Sequence, residues 1–359
     1  MAVPLFDPIT PLEPLRPRLR AAIEEVLDGG SFILGPNVAA FEQELAAYVG
    51  TRHAAGVANG TEAITIALRA LGVGPGDEVV VPSFSFYASA EAIPPTGATP
   101  VFCDVDPETF LVTPETVRAA LTPRTKAVIA VHLFGNVAPV RAIAALGVPV
   151  LEDAAQAAGS TGPDGRPGAL GEIATFSFYP SKNLGAFGDG GAITTSDDAL
   201  AERVRTLRFH GSKDKVTYTE VGYNSRLDEI QAAILRVLLG ELDGWAAARA
   251  AAGDAYAQAG LGELAALPRA THGSRPAWHL YVIRHERADE LAEALGTAGV
   301  EARAYYRRPI HRQPAFAIDA DLPGTEQAAR THLAIPMSAA LGREQVAEVV
   351  AAVRDAGLG

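Results

Sequence analysis

"KAVIAVHLFG" at residues 126–135 and "VPVLEDAA" at 148–155 decide the fold class. Both are short apolar runs rich in β-branched residues and bordered by Gly or Pro, the composition of buried strands. Runs of the same kind recur at "EVVVPSF" (78–84), "TPVFCDVD" (99–106), "IATFSFY" (173–179) and "GAITTS" (191–196), with helical stretches between them. That alternation predicts crossover units on a mostly parallel sheet, an α/β layer architecture.

Leu15, Leu19, Ile23, Val26 and Leu27 share one helical face that Gly29-Gly30 ends, and a second helix is expected from about Val38 to Tyr48. A long amphipathic helix is expected at roughly 226–257. "WHLYVIR" (278–284), a helix near 288–298, "VEARAYY" (300–306) and a last helix over 344–356 follow it. The chain of 359 residues thus divides into a large domain, 1–245, and a smaller C-terminal α/β domain, 246–359.

Lys and Arg number 30 against 42 Asp and Glu, and the net charge of −12 repels a nucleic-acid backbone. The single cysteine, Cys103, excludes an internal disulfide, and the first residues, "MAVP", lack the basic and apolar regions of a signal peptide. No window holds 18 uninterrupted apolar residues, so a membrane span is not expected. A cytoplasmic enzyme fits these bounds. "GVGPG" (72–76) follows a helix instead of a strand and reads as a turn, not a dinucleotide fingerprint.

Three stretches carry chemistry. In "NGTEAITIALRAL" (59–71), Gly60 permits close approach of a ligand and Thr61 is expected to cap a helix whose N-terminus favours a phosphate. In "VLEDAAQAAG" (150–159), a buried strand ends in Asp153, with Gln156 three residues on, at the edge where parallel sheets bind ligands. A carboxylate there needs a cationic partner, and a protonated pyridine nitrogen is one. In "SFYPSKNLGAFGDGG" (177–191), Lys182 stands before Gly185, Gly188, Gly190 and Gly191, and Ser177 offers a hydroxyl. Partial burial turns a lysine into a nucleophile able to form a Schiff base. With Phe86 as a ring-stacking aromatic, these residues assemble the requirements of pyridoxal 5'-phosphate.

Taken together with "GSFILGPNVAAFEQELAAYVG" (30–50), "FCDVDPETFLVTPE" (102–115), "VHLFGN" (131–136) and "GYNSRLDEIQAAIL" (222–235), the chain resembles the DegT/DnrJ/EryC1/StrS sugar aminotransferases, pyridoxal phosphate enzymes of fold type I. The resemblance implies a mixed sheet of about seven strands between helices. It implies Lys182 as Schiff-base lysine and general base, Asp153 at the pyridine nitrogen, Gln156 by the ring oxygen and Phe86 against the ring face. Gly60, Thr61, Glu62 (through its backbone) and Ser177 would surround the phosphate, joined by Asn224 from the neighbouring subunit of a homodimer. Leu227, Ile230, Ile234 and Leu238, more apolar residues than one short domain can cover, point to the same assembly.

The implied substrates are L-glutamate and a nucleotide-linked keto sugar, with no metal. Ser225 stands where many C4 enzymes have Tyr, which favours amination at C3, and Ala158 stands where many members carry His. Tyr306 and His311 are candidate sugar contacts. Lys213, Lys215, Arg307 and Arg308 are candidates for a diphosphate, although solvated surface charge is their commoner explanation. Lys182 opposes the family's sugar dehydratases, which carry His there; an aromatising dehydratase keeps the lysine, and a regulator that merely binds the cofactor is the reading from another class.

Overall fold

A computed structural model of the chain describes residues 3–358. The strands are β1 (His53–Val57), β2 (Glu78–Pro82), β3 (Thr99–Cys103), β4 (Thr125–Val131), β5 (Val150–Asp153), β6 (Ile173–Ser177) and β7 (Gly191–Thr195). They form one seven-stranded sheet in the order β1-β7-β6-β5-β4-β2-β3. Neighbours from β3 through β6 pair in parallel, and β7 runs antiparallel to both β6 and β1. The architecture is therefore the expected α/β layer fold with a mixed, mostly parallel sheet. β2, β5 and β7 are buried along their whole length, as unbroken apolar runs require. The strand without a matching apolar run is β1, whose "HAAGV" is held by its pairing with β7 rather than by β-branched residues.

One hydrophobic cluster joins the sheet to the helix Gly60–Ala70, and a second packs the helices Arg16–Gly29, Pro36–Val49 and Glu229–Leu239 against Ala54, Phe176 and Ala192. The first helix ends at Gly30 in the left-handed conformation, φ 65°. Leu19 and Val26 face the core, but Leu27 is 55% exposed and does not share their face. The expected long helix over 226–257 is two, Glu229–Leu239 and Leu242–Gln258, broken at Gly240. Leu227, Ile234 and Leu238 are buried within this chain, so they supply no argument for a partner.

The smaller part pairs β8 (Tyr281–Arg284) antiparallel with β9 (His332–Ile335), and its core holds Val3 together with Tyr256, Leu291 and Val349. "VEARAYY" forms only single bridges, Val3–Val300 and Arg303–Ala334. The boundary expected at residue 245 falls inside the helix Leu242–Gln258. Leu242 packs with the large-domain cluster, while Ala252 and Tyr256 belong to the smaller core. No helix among the described residues is long and apolar enough to cross a membrane.

A buried carboxylate ties the sheet together. Glu152 Oε1 accepts the N–H groups of Leu170 and Gly171 at 2.7 Å each, and Oε2 accepts that of Gly168 at 2.9 Å. His132 Nε2 lies 2.9 Å from Oε2 while Nδ1 accepts the Ala138 N–H at 3.0 Å, an arrangement that assigns the ring proton to Nε2. Both side chains are fully enclosed. Glu152→Ala strands three buried N–H groups and an imidazole N–H. It is expected to lower stability by about 3 kcal/mol or more, measured as a fall in the urea midpoint with unchanged m-value.

Candidate active site

The parallel strands end along one edge, and there β5 delivers Asp153, β6 delivers Ser177 and β2 leads into the segment from Ser83 to Ser89. These ends enclose a cavity of about 790 Å³. Gly60, Thr61, Glu62, Phe86, Asp153, Gln156, Ser177, Lys182 and Tyr306 all line it.

The helix Gly60–Ala70 begins at this cavity. Its cap is Asn59, not Thr61: the Asn59 side chain accepts the Glu62 N–H at 2.8 Å. Glu62's backbone donor, expected at a phosphate, is thereby already used. The N–H groups of Gly60 and Thr61 keep no acceptor within the helix. A Cβ on Gly60 would stand 2.7 Å from the Ser177 Cβ, so only glycine lets the helix start meet the end of β6. Two free N–H groups, the hydroxyls of Thr61 and Ser177 and the positive end of the helix form a cradle that fits a phosphate.

Asp153 is buried. Its Oδ2 accepts the Ser89 hydroxyl at 2.7 Å, and its Oδ1 accepts the Ala155 N–H at 3.2 Å. Gln156 Oε1 accepts the Phe134 N–H at 2.7 Å, and Nε2 donates to the Tyr306 hydroxyl at 3.3 Å, which leaves one amide hydrogen free. Phe86 exposes 53% of its surface on the cavity wall, as a ring meant to be covered by a planar ligand would.

The glycine loop explains the placement of Lys182. Phe178 N–H donates to Gly190 O at 2.8 Å, Ala186 N–H to Phe178 O at 2.7 Å and Lys182 N–H to Tyr179 O at 2.8 Å. At Gly185 a Cβ would come within 2.6 Å of Pro180 O, and at Gly191 within 2.6 Å of Asn59 O. Asn183 pins the loop from outside by donating to Ala158 O and Ala277 O at 3.3 and 3.1 Å. These bonds hold the loop so that Lys182 lines the cavity. Burial lowers the Lys182 pKa to about 8, against the opposing charge of Asp153.

The structure does not bring every candidate to this cavity. His311 is wholly buried, with Nδ1 2.6 Å from the Ser83 hydroxyl and Nε2 3.4 Å from Glu326, and so cannot touch a sugar. Asn224 is exposed, bridged to Phe209 and absent from this chain's cavity wall. Ser225 is buried, its hydroxyl accepting the Ala58 N–H at 3.1 Å, and it does not line the cavity. Lys213 pairs with Glu202, Lys215 lies 5.0 Å over the Phe209 ring and Arg307 pairs with Asp289; neither they nor Arg308 line the cavity.

Other wall residues escaped the sequence. His279, in the apolar run "WHLYVIR", is buried with Nδ1 unpaired. Burial and the positive charges of Lys182 and Arg249 hold it well below the usual imidazole range. Ser89, in the short helix Ala88–Glu91, carried no signal of its own in the sequence. Phe6 reaches the wall because the chain's first segment is tied to the smaller core.

The model of the DegT/DnrJ/EryC1/StrS aminotransferase family matches residues 15–354. The chain is 45% identical to dTDP-3-amino-3,4,6-trideoxy-alpha-D-glucose transaminase of Streptomyces venezuelae, across 98% of this chain and 96% of that one. It is equally 45% identical to a "Pleiotropic regulatory protein" of Geobacillus stearothermophilus, across 98% and 97%. Among solved structures, that of S. venezuelae DesV superimposes with a TM-score of 0.95 at 44% identity, covering 99% of this chain and 98% of that chain. With matches of this extent, the chain belongs to the DegT/DnrJ/EryC1/StrS aminotransferase family.

Proposed function

We propose that this protein uses pyridoxal phosphate to carry an amino group from L-glutamate to C3 of a nucleotide-linked keto sugar, as a cytoplasmic homodimer with shared sites. The observation that carries the reading is the convergence of Lys182, Asp153 and the open start of the Gly60–Ala70 helix on one cavity. The N–H groups of Gly60 and Thr61, with the Thr61 and Ser177 hydroxyls, would hold the phosphate. Phe86 would lie against the ring, the free Gln156 amide hydrogen would meet the ring oxygen and Asp153 would keep a proton on the ring nitrogen.

When bound, the cofactor supplies an aldehyde that condenses with amines and a ring that takes up the electron pair left on a substrate carbon. Lys182 Nζ does the rest of the proton work. With its pKa at about 8, a useful fraction of the amine is neutral near pH 7, free to bond the aldehyde. Once free, the same nitrogen would take the substrate's Cα proton as general base and return a proton as general acid. Asp153, a fixed negative charge, holds the ring nitrogen protonated throughout.

Relatives named for 3-amino products support C3: besides the S. venezuelae enzyme, a UDP-N-acetyl-3-dehydro-alpha-D-glucosamine 3-aminotransferase of Acidithiobacillus ferrooxidans is 43% identical. For the proposed dimer, Asn224 keeps its part, while the apolar support comes from residues other than Leu227, Ile234 and Leu238. Phe32 (47% exposed), Ile33 (51%) and Phe187 (48%) are apolar and uncovered in one chain, and Asn224 is free to reach outward. Lys182 is the only basic Lys or Arg on the cavity wall among the described residues, so a diphosphate would draw its remaining cations from a partner.

Adding L-glutamate and then keto sugar nucleotides to the holoenzyme tests the reading. The visible absorbance of the cofactor should fall with glutamate and return with the correct sugar; a spectrum indifferent to glutamate would favour the cofactor-binding regulator. Lys182→Ala should abolish turnover yet retain cofactor non-covalently, measured as loss of borohydride-fixed label from a protein that still co-purifies with it. In the cofactor-free protein, the rate of reaction with pyridoxal phosphate should rise with pH and level off above about 8, because the neutral amine is the reactive form. An ordinary lysine would keep gaining up to about pH 10. Finally, Lys182→Ala and Asn224→Asp should complement. If Asn224 serves the partner's phosphate, random re-pairing yields about half mixed dimers, each with one intact site, so roughly a quarter of wild-type activity returns. Activity equal to the mean of the separate variants, with mixed dimers present, would place each site within one chain.

A further inference from the structure

Asp153 does not stand alone in the cavity wall. Ser89 Oγ lies 2.7 Å from Asp153 Oδ2, and Ser85 Oγ lies 3.0 Å from Ser89 Oγ. All three side chains are at least nine-tenths buried, at 5% exposure for Asp153, 1% for Ser89 and 2% for Ser85. Their proton order follows from valence. An ionised carboxylate only accepts, so the single hydroxyl hydrogen of Ser89 points to Asp153. Ser89 then has nothing left to give Ser85, and Ser85 must donate to it. The chain runs Ser85 to Ser89 to Asp153, the polarity that an ionised carboxylate imposes.

We infer that Ser89, backed by Ser85, is a positioning residue that locks Asp153 as an ionised carboxylate with Oδ2 engaged and Oδ1 presented to the ring nitrogen of the cofactor. The inference rests on the proposed cofactor and names residues that the motifs did not single out. Its physical content is that hydrogen bonds to the charged form favour that form. A negative charge held in place opposite the ring would keep the shared proton on the ring nitrogen. The two bonds also remove the side chain's rotational freedom, so the charge is in place before the ring arrives. Ser85 and Ser89 are four residues apart on the segment after β2 that also carries Phe86, Ser89 in the helix Ala88–Glu91 and Ser85 in the bend before it. The residues for the ring's face and for the aspartate's orientation are therefore set by one short piece of chain.

The test is made on holoenzyme loaded with ring-15N pyridoxal phosphate. The wild-type nitrogen should resonate at its protonated position. In Ser89→Ala it should move toward the unprotonated position, the dissociation constant for pyridoxal phosphate should rise about tenfold to a hundredfold, and kcat should fall more than KM rises, as loss of a charge-assisted bond implies. Ser89→Thr, which keeps the hydroxyl, should restore the wild-type signal. Ser85→Ala should shift it in the same direction by less, and serves in place of Ser89→Ala if circular dichroism shows that variant unfolded. A wild-type nitrogen signal and dissociation constant in a folded Ser89→Ala, or in Ser85→Ala when Ser89→Ala does not fold, overturns the inference. A wild-type protein that binds no pyridoxal phosphate overturns the proposed function and the inference with it, whereas an unchanged variant beside a normal wild type removes the inference alone.

Discussion

Glu152 and Asp153 are consecutive residues at the end of β5, and the pleat of a strand sends them to opposite faces of the sheet. On one face Glu152 gathers the N–H groups of Gly168, Leu170 and Gly171 and the His132 imidazole. On the other, Asp153 faces the cavity. A carboxylate buried this deeply costs more than it returns unless its acceptor sites are filled, and Glu152 is filled completely. The sheet is thus fastened one residue away from the charge the site needs. Any slip of β5 that would move Asp153 by one position would pull Glu152 from four donors at once.

A second constraint is the contact between Gly60 and Ser177. It brings the start of a helix that follows β1 against the end of β6, although β7 separates those two strands in the sheet. Because β7 is antiparallel to both, the chain leaves β6 and returns through the glycine loop on the cavity side, which is where Lys182 must be. The reversed strand is therefore what puts the lysine and the phosphate cradle on the same edge. The loop's close backbone contacts at Gly185 and Gly191 then leave the lysine half-buried, and desolvation brings its pKa into a usable range.

The C-terminal part of the chain closes the cavity from the other side. It supplies His279, Tyr305 and Tyr306, the two tyrosines packing on the large-domain cluster, and Phe6 joins them because the Val3 N–H donates to Gly299 O and Val3 O accepts the Glu301 N–H, both at 3.0 Å. Tyr306 is stacked on Phe134 at 5.9 Å and is bonded to Gln156, so the two parts of the chain meet directly over the residue that would hold the ring oxygen. The long helix Leu242–Gln258 spans both cores, which makes their separation a matter of packing and not of a flexible linker.

By itself the sequence determined the layer architecture, most of the sheet and the lysine, aspartate, glutamine and glycines of the site, because each is a local property: an apolar run, a strand end or a glycine spacing. It showed neither β1, whose Ala-Gly composition becomes a strand only by pairing with β7, nor β9, four residues with a single β-branched side chain that run straight on from the helix Pro323–Thr331. It misplaced the cap at Thr61 although asparagine is the better capping residue; the cap falls at Asn59, whose backbone is extended at φ −164°. His311 looked available beside Tyr306, yet the 3-10 turn Ile310–Arg312 carries it inward to Ser83. His279 and Ser89 looked like ordinary core residues and are cavity wall. In each case the tertiary structure decided, since a side chain's function depends on which buried acceptors and donors surround it, and those come from residues as far apart in sequence as Ser89 and Asp153.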